Sequence, residues 1–115
     1  MDKKIVIIPT YNEKENIEAI IRKVFSLPIS FDLLIVDDGS PDGTGAIVKG
    51  LQKEFSALHI MERSEKNGLG TAYIAGFKWC LEKEYDFIFD RSGDIIFLFA
   101  KEEYDVTNLV LEKLK

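Results

Sequence analysis

The sequence predicts an α/β domain, a three-layer α/β/α sandwich on a mostly parallel sheet, and two features of its pattern predict it. Short, uninterrupted apolar runs alternate with longer stretches in which apolar residues recur at helical spacing. The runs also lack the polar alternation of a half-exposed strand, which is how strands covered by helices on both faces read.

Taken in order, Ile5-Val6-Ile7-Ile8 is β-branched throughout and predicts the first strand, which Pro9 is expected to end. From Lys14 onward Ile17, Ile20, Ile21, Val24 and Phe25 recur at helical spacing between charges, predicting an amphipathic helix that closes near Leu27-Pro28. Residues 32–37 predict a second strand, 44–55 a second helix and 58–62 a third strand. A turn at Lys66-Asn67-Gly68 opens a third helix through residue 81, and Phe87-Ile88-Phe89 is a fourth strand. Ile95-Ile96-Phe97-Leu98-Phe99 is a candidate fifth strand, paired within the chain or with a second copy in a homodimer. Val106, Leu109, Val110 and Leu114 suggest a closing helix.

At 115 residues with 46% hydrophobic side chains, the chain holds one core, and residues 1–115 read as one domain. The net charge of −5 opposes capture of nucleic acid or anionic lipid by bulk electrostatics, so a phosphate ligand must be met by local groups. The single cysteine, Cys80, excludes an internal disulfide and a multi-cysteine zinc site and fits a reducing compartment. Its helical, apolar surroundings predict burial. The longest apolar runs fall well short of the roughly 20 residues of a membrane helix, and Met1-Asp2-Lys3-Lys4 leads into a strand with no signal-peptide h-region. A cytoplasmic location is therefore expected.

In open α/β sheets ligands bind beyond the carboxyl ends of the strands. There the sequence places Pro9-Thr10-Tyr11-Asn12-Glu13 after the first strand and Asp37-Asp38-Gly39-Ser40-Pro41-Asp42-Gly43-Thr44 after the second. The first loop has no glycine, which excludes the dinucleotide fingerprint, and no Gly-Lys-Ser/Thr sequence occurs, which excludes a phosphate-loop NTPase. An aromatic ring and carboxylates suit a base and a ribose, through stacking and through acceptance of N–H and O–H donors. Successive strand side chains point to opposite faces, so Asp37 and Asp38 cannot both serve one ligand and one of them is structural. Plainer roles remain open: Asp37 to Thr44 can be turn and cap chemistry, and Asn12 can cap the first helix while Glu13 complements its dipole. Lys66-Asn67-Gly68-Leu69-Gly70-Thr71, with Arg63 nearby, could hold a diphosphate or be simple turn chemistry. His59, Tyr73, Phe77 and Trp79 read as packing residues.

Three blocks in order, residues 6–13, 37–44 and Gly68-Leu69-Gly70-Thr71-Ala72-Tyr73-Ile74-Ala75-Gly76, resemble the polyprenol (dolichol) phosphate mannosyltransferases of glycosyltransferase family 2. The resemblance covers about residues 1–94, with 95–115 diverging. It implies a GT-A fold, GDP-mannose as donor, Mg²⁺ or Mn²⁺, and transfer with inversion to a lipid phosphate acceptor at the cytosolic membrane face. It also implies that Pro9, Tyr11, Glu13, Val36 and Asp38 hold the guanosine. Where that family reads Asp-x-Asp for metal and diphosphate, this chain has Ser92-Gly93-Asp94, so Asp94 alone inherits the metal-binding and catalytic role beside donor-binding Ser92 and Gly93. Asp90 lies about 13 Å from Asp94 in an extended chain, too far to share an ion without a sharp bend at Ser92-Gly93. Three functions follow as alternatives: a mannosyltransferase, a catalytically inactive nucleotide-binding fragment, or an engineered or truncated α/β scaffold.

Overall fold

The computed structural model describes residues 3–64, 69–90 and 95–98. Its elements run β1 (Lys4–Thr10), α1 (Ile17–Phe25), β2 (Asp32–Asp37), α2 (Thr44–Leu51), β3 (Leu58–Glu62), α3 (Leu69–Glu82), β4 (Phe87–Phe89) and β5 (Ile95–Leu98). The sheet order is β3-β2-β1-β4-β5, with β1 to β4 parallel and β5 antiparallel to β4. β5 therefore pairs within the chain. The expected closing helix lies outside the described residues.

Uninterrupted apolar runs are needed because each strand feeds two cores in alternation. Val6, Ile8, Leu33 and Ile35 pack with Ile17, Ile21, Val48 and Leu51 of α1 and α2. Ile5, Ile7, Leu34, Val36 and Ile88 pack on the other face with Ala72, Tyr73, Phe77 and Cys80 of α3. Three layers result, as the pattern predicts. Cys80 is fully buried, and burial pushes its thiol above the ordinary range, so it is a packing residue. Gly76 lets α3 settle onto the sheet, since a Cβ there would lie 3.0 Å from Ile7 Cγ2 and 3.4 Å from Val36 Cγ2.

Three boundaries differ from the sequence expectation. β1 runs through Pro9 to Thr10, in register with Val36 and Asp37. The Asp38 N–H donates to the Thr10 carbonyl, so residues of Thr10's parity face β2 while Pro9 faces the β4 side. The β4 register ends at Val6↔Phe89, so no ladder bond is lost to the missing proline N–H. α1 begins at Ile17 rather than Lys14: residues 14–16 form a turn that follows the N–H groups of residues 12–14, which are bound to the β2–α2 loop. α2 stops at Leu51 and tightens into a turn in which the Phe55 N–H still reaches the Leu51 carbonyl. That turn brings Phe55 onto Phe25, with ring centroids 4.7 Å apart.

Candidate functional site

The sheet order reverses direction between β1 and β4, and the crevice above that point is where a doubly wound sheet takes its ligand. The β1–α1 loop borders that point, and the structure shows how it is built on the neighbouring β2–α2 loop. Three consecutive backbone N–H groups of the first loop donate to three side chains of the second. Asn12 N–H reaches Ser40 Oγ at 2.8 Å, Glu13 N–H reaches Thr44 Oγ1 at 3.0 Å and Lys14 N–H reaches Asp42 Oδ2 at 3.2 Å. Asn12 adopts a positive φ of 53°, which asparagine tolerates, and so turns the chain instead of capping α1.

The acceptors are themselves held. Asp42 Oδ1 accepts the Thr44 hydroxyl and backbone N–H at 2.5 and 3.0 Å. The Thr44 hydroxyl, then the Lys14 and Thr44 backbone N–H groups, hold the Asp42 carboxyl below its ordinary pKa against a smaller opposing desolvation. Asp37 accepts the Ser40 hydroxyl at 2.5 Å and its N–H at 3.2 Å. Ser40, Asp42 and Thr44 thus latch the two loops together, and the segment 40–44 is more than a turn. Thr44→Val keeps the shape of a fully buried side chain but leaves the Glu13 N–H without its acceptor. A loss of about 1–3 kcal/mol of stability is expected in urea denaturation followed by circular dichroism.

Gly39 is required twice over. Its φ is +75°, and a Cβ would lie 3.0 Å from the Ser64 carbonyl oxygen and 3.2 Å from that of Arg63. The close approach clamps the β2–α2 loop against the end of β3.

The two aspartates diverge as strand geometry demands. Asp37 turns toward α2, where a Cβ on Gly45 would sit 3.7 Å from its Oδ2. Asp38 turns toward α3, with Arg63 Nε 3.1 Å from its Oδ1, and their side chains are only 7% and 14% exposed. Arg63 Nη2 donates to Thr71 Oγ1 at 2.9 Å, and the Arg63 N–H to the Asp37 carbonyl at 2.7 Å. Arg63, which the sequence placed near a loop that could hold a diphosphate, meets Asp38 in the structure. No local sequence pattern pairs residues 38 and 63, which meet only because β2 and β3 are neighbours.

Of the residues expected to contact a nucleoside, Tyr11 is 38% exposed at the mouth of the crevice and Glu13 is half-buried beside it. Pro9 and Val36 are register partners on the α3 face of the sheet. Val36 is fully buried beneath α3, so its side chain is floor rather than contact surface. Lys66, Ser92, Gly93 and Asp94 lie outside the described residues. Among the described residues no group of three or more His, Cys, Asp or Glu side chains converges to hold a metal ion. His59 sits at the opposite end of the sheet, 3.6 Å from Asp32 and tilted against Trp79 with ring centroids 5.2 Å apart. It is a packing residue, as is Tyr85, whose hydroxyl donates to Asp32.

Residues 5–91 match the family described as Glycosyl transferase family 2. The chain is similar to the polyprenol monophosphomannose synthase of Mycolicibacterium smegmatis, 44% identical over 93 residues that make up 80% of this chain and 35% of that protein. It is likewise similar to the undecaprenyl-phosphate mannosyltransferase of Micrococcus luteus, 42% identical over 90 residues, 78% of this chain and 37% of that one. The chain thus spans little more than a third of the length of these curated relatives. Among solved structures, the Pyrobaculum calidifontis mannosyltransferase PcManGT in complex with GDP-Man and Mn²⁺ superposes with TM-score 0.64 at 24% identity, over 77% of this chain and 27% of that one. S. aureus TarS 1-349 superposes with TM-score 0.66 at 25% identity, over 76% and 26%. The fold these neighbours share is GT-A, as the resemblance implied.

Proposed function

The chain belongs to glycosyl transferase family 2, and from that premise we propose that it is the donor-binding part of a polyprenol-phosphate mannosyltransferase, with GDP-mannose as its ligand. One observation carries the reading. A nearly buried carboxylate, Asp38, is held by a cation at the floor of a crevice whose mouth carries an exposed aromatic ring, Tyr11. A carboxylate can accept two adjacent N–H donors, which guanine presents on one edge and uracil does not. An aromatic ring at the mouth supplies stacking worth about 1–3 kcal/mol per base.

In this reading Pro9 and Val36 shape the floor under the base, Tyr11 stacks on it, Asp38 accepts its N–H groups and Glu13 accepts a ribose hydroxyl. Lys66, Ser92 and Gly93 are the residues assigned to the diphosphate. Asp94 is the carboxylate assigned to Mg²⁺ or Mn²⁺, whose chemistry would be to neutralise the departing diphosphate. Position 92 supplies a hydroxyl where the family pattern has a second carboxylate. In the transfer, an acceptor phosphate oxygen forms a bond to mannose C1 as the bond from C1 to the diphosphate breaks, with inversion, and GDP leaves. Acceptor recognition at the cytosolic membrane face would fall to residues beyond the matched third of the relatives. Among the described residues no helix is long and apolar enough to cross a membrane.

A second reading is favoured by the Ser92 substitution: nucleotide binding retained without transfer. Calorimetric titration of GDP-mannose, GDP and UDP, with and without Mn²⁺, tests both. The donor reading expects GDP and GDP-mannose to bind at least about tenfold tighter than UDP, the worth of one additional base hydrogen bond. Mn²⁺-dependent binding supports the enzyme, Mn²⁺-independent binding supports the non-catalytic module, and no heat with any nucleotide overturns both.

A further inference from the structure

We propose that Arg63 is a positioning residue for nucleotide selection, holding Asp38 ionised and oriented and tying that state to α3; the inference rests on the donor-site reading above. A carboxylate 93% removed from water would ordinarily favour its neutral form, which donates a proton where a base also donates. The guanidinium 3.1 Å away reverses that preference. The contact is an ion pair by distance rather than an aligned hydrogen bond, because Asp38 Oδ1 has no hydrogen-bond geometry with Arg63. Arg63 Nη1 is also buried without a hydrogen-bond partner among the described residues. The side chain is therefore placed for its charge and for the direction in which it pulls Asp38.

Its anchors set that direction. The Arg63 backbone is fixed to the Asp37 carbonyl, one residue from its partner, and Nη2 is fixed to Thr71 in the first turns of α3. The other charged groups around the site are engaged elsewhere or stand apart: Asp37 with Ser40, Glu62 with Lys49 at 2.5 Å, and Glu13 in the first loop. Among the described residues the two loops also carry Tyr11, Lys14 and Asp42, the last held by Thr44, and no charged side chain stands in residues 69–71 of α3. Arg63 is the cation that meets the Asp38 carboxylate at 3.1 Å.

The test is GDP affinity between pH 5.5 and 8.5 by calorimetry, in the unmodified chain, Arg63→Gln and Arg63→Lys. The unmodified chain is expected to bind with a flat profile. Arg63→Gln should raise the Asp38 pKa, so affinity is lost below the raised value and regained above it, at about tenfold per pH unit on the acid limb. Arg63→Lys keeps the charge, loses the fork to Thr71, and should bind about five- to tenfold more weakly with a flat profile. It also carries the test if Arg63→Gln does not fold. A flat, unweakened profile in Arg63→Gln, or equal affinity of Arg63→Lys and the unmodified chain, overturns the proposal while leaving the donor reading intact. Failure of the unmodified chain to bind GDP overturns the donor reading and, with it, the nucleotide role of Arg63.

Discussion

Phe77→Ala is expected to destabilise the fold by about 3–5 kcal/mol, which corresponds to a fall in Tm of more than about 10 °C. Phe77 is fully buried and is the largest of the fully buried side chains. It projects from α3 into the cluster formed by Ile5, Ile7, Leu34, Val36 and Ile88. Among the described residues α3 is the one helix that covers that face, and no other described helix has side chains that could move in to fill the space. Gly76 has already brought the helix backbone close to Ile7, which limits further collapse. A contrasting substitution is Phe55→Ala. Phe55 stacks on Phe25 in a half-buried position on the other face, and about 1–2 kcal/mol is expected there. Thermal unfolding of both variants checks the account. A loss below 1 kcal/mol for Phe77→Ala would show that the α3 layer is not the principal support of the sheet.

The layer architecture was legible because its cause is local. A strand buried on both faces must be apolar at every position, and residues 5–8 and 33–36 are. The places where the reading and the structure part are those where a distant partner decides. Pro9 would end a strand with neighbours on both sides; it continues this one because β4 has already stopped at Phe89. Residues 14–16 continue the helical pattern, but the loop just before them is fixed to Ser40, Thr44 and Asp42, and the chain turns there before the helix begins at Ile17. In the same way Tyr11, Asp38 and the loops that carry them could be found from the sequence. The latch between those loops and the Arg63 pairing could not, because each joins residues about 25 or more positions apart that only the sheet order brings together.

Strand geometry also separates two adjacent aspartates by function, and a pair of substitutions measures the separation. Asp38→Asn is expected to lower GDP affinity at least about 100-fold, the worth of roughly 3 kcal/mol of charge-assisted hydrogen bonding. The amide keeps the volume, but it puts an N–H₂ in place of one of the two acceptors that would meet the adjacent N–H donors of guanine, and it leaves the buried Arg63 guanidinium without its counter-charge. Stability should fall as well, so affinity is measured at a temperature where circular dichroism shows the variant folded. Asp37→Asn removes a carboxylate of the same chemistry one residue earlier. Its partner is the Ser40 hydroxyl and N–H on the α2 side of the sheet, so about 1–2 kcal/mol of stability is expected to go. GDP affinity should change by no more than a few-fold, through a looser β2–α2 loop. Equal losses of affinity in the two variants would mean that the crevice responds to its total negative charge. A loss confined to Asp38→Asn would mean that one oriented carboxylate, selected by the two-residue period of β2 and held from β3, reads the ligand.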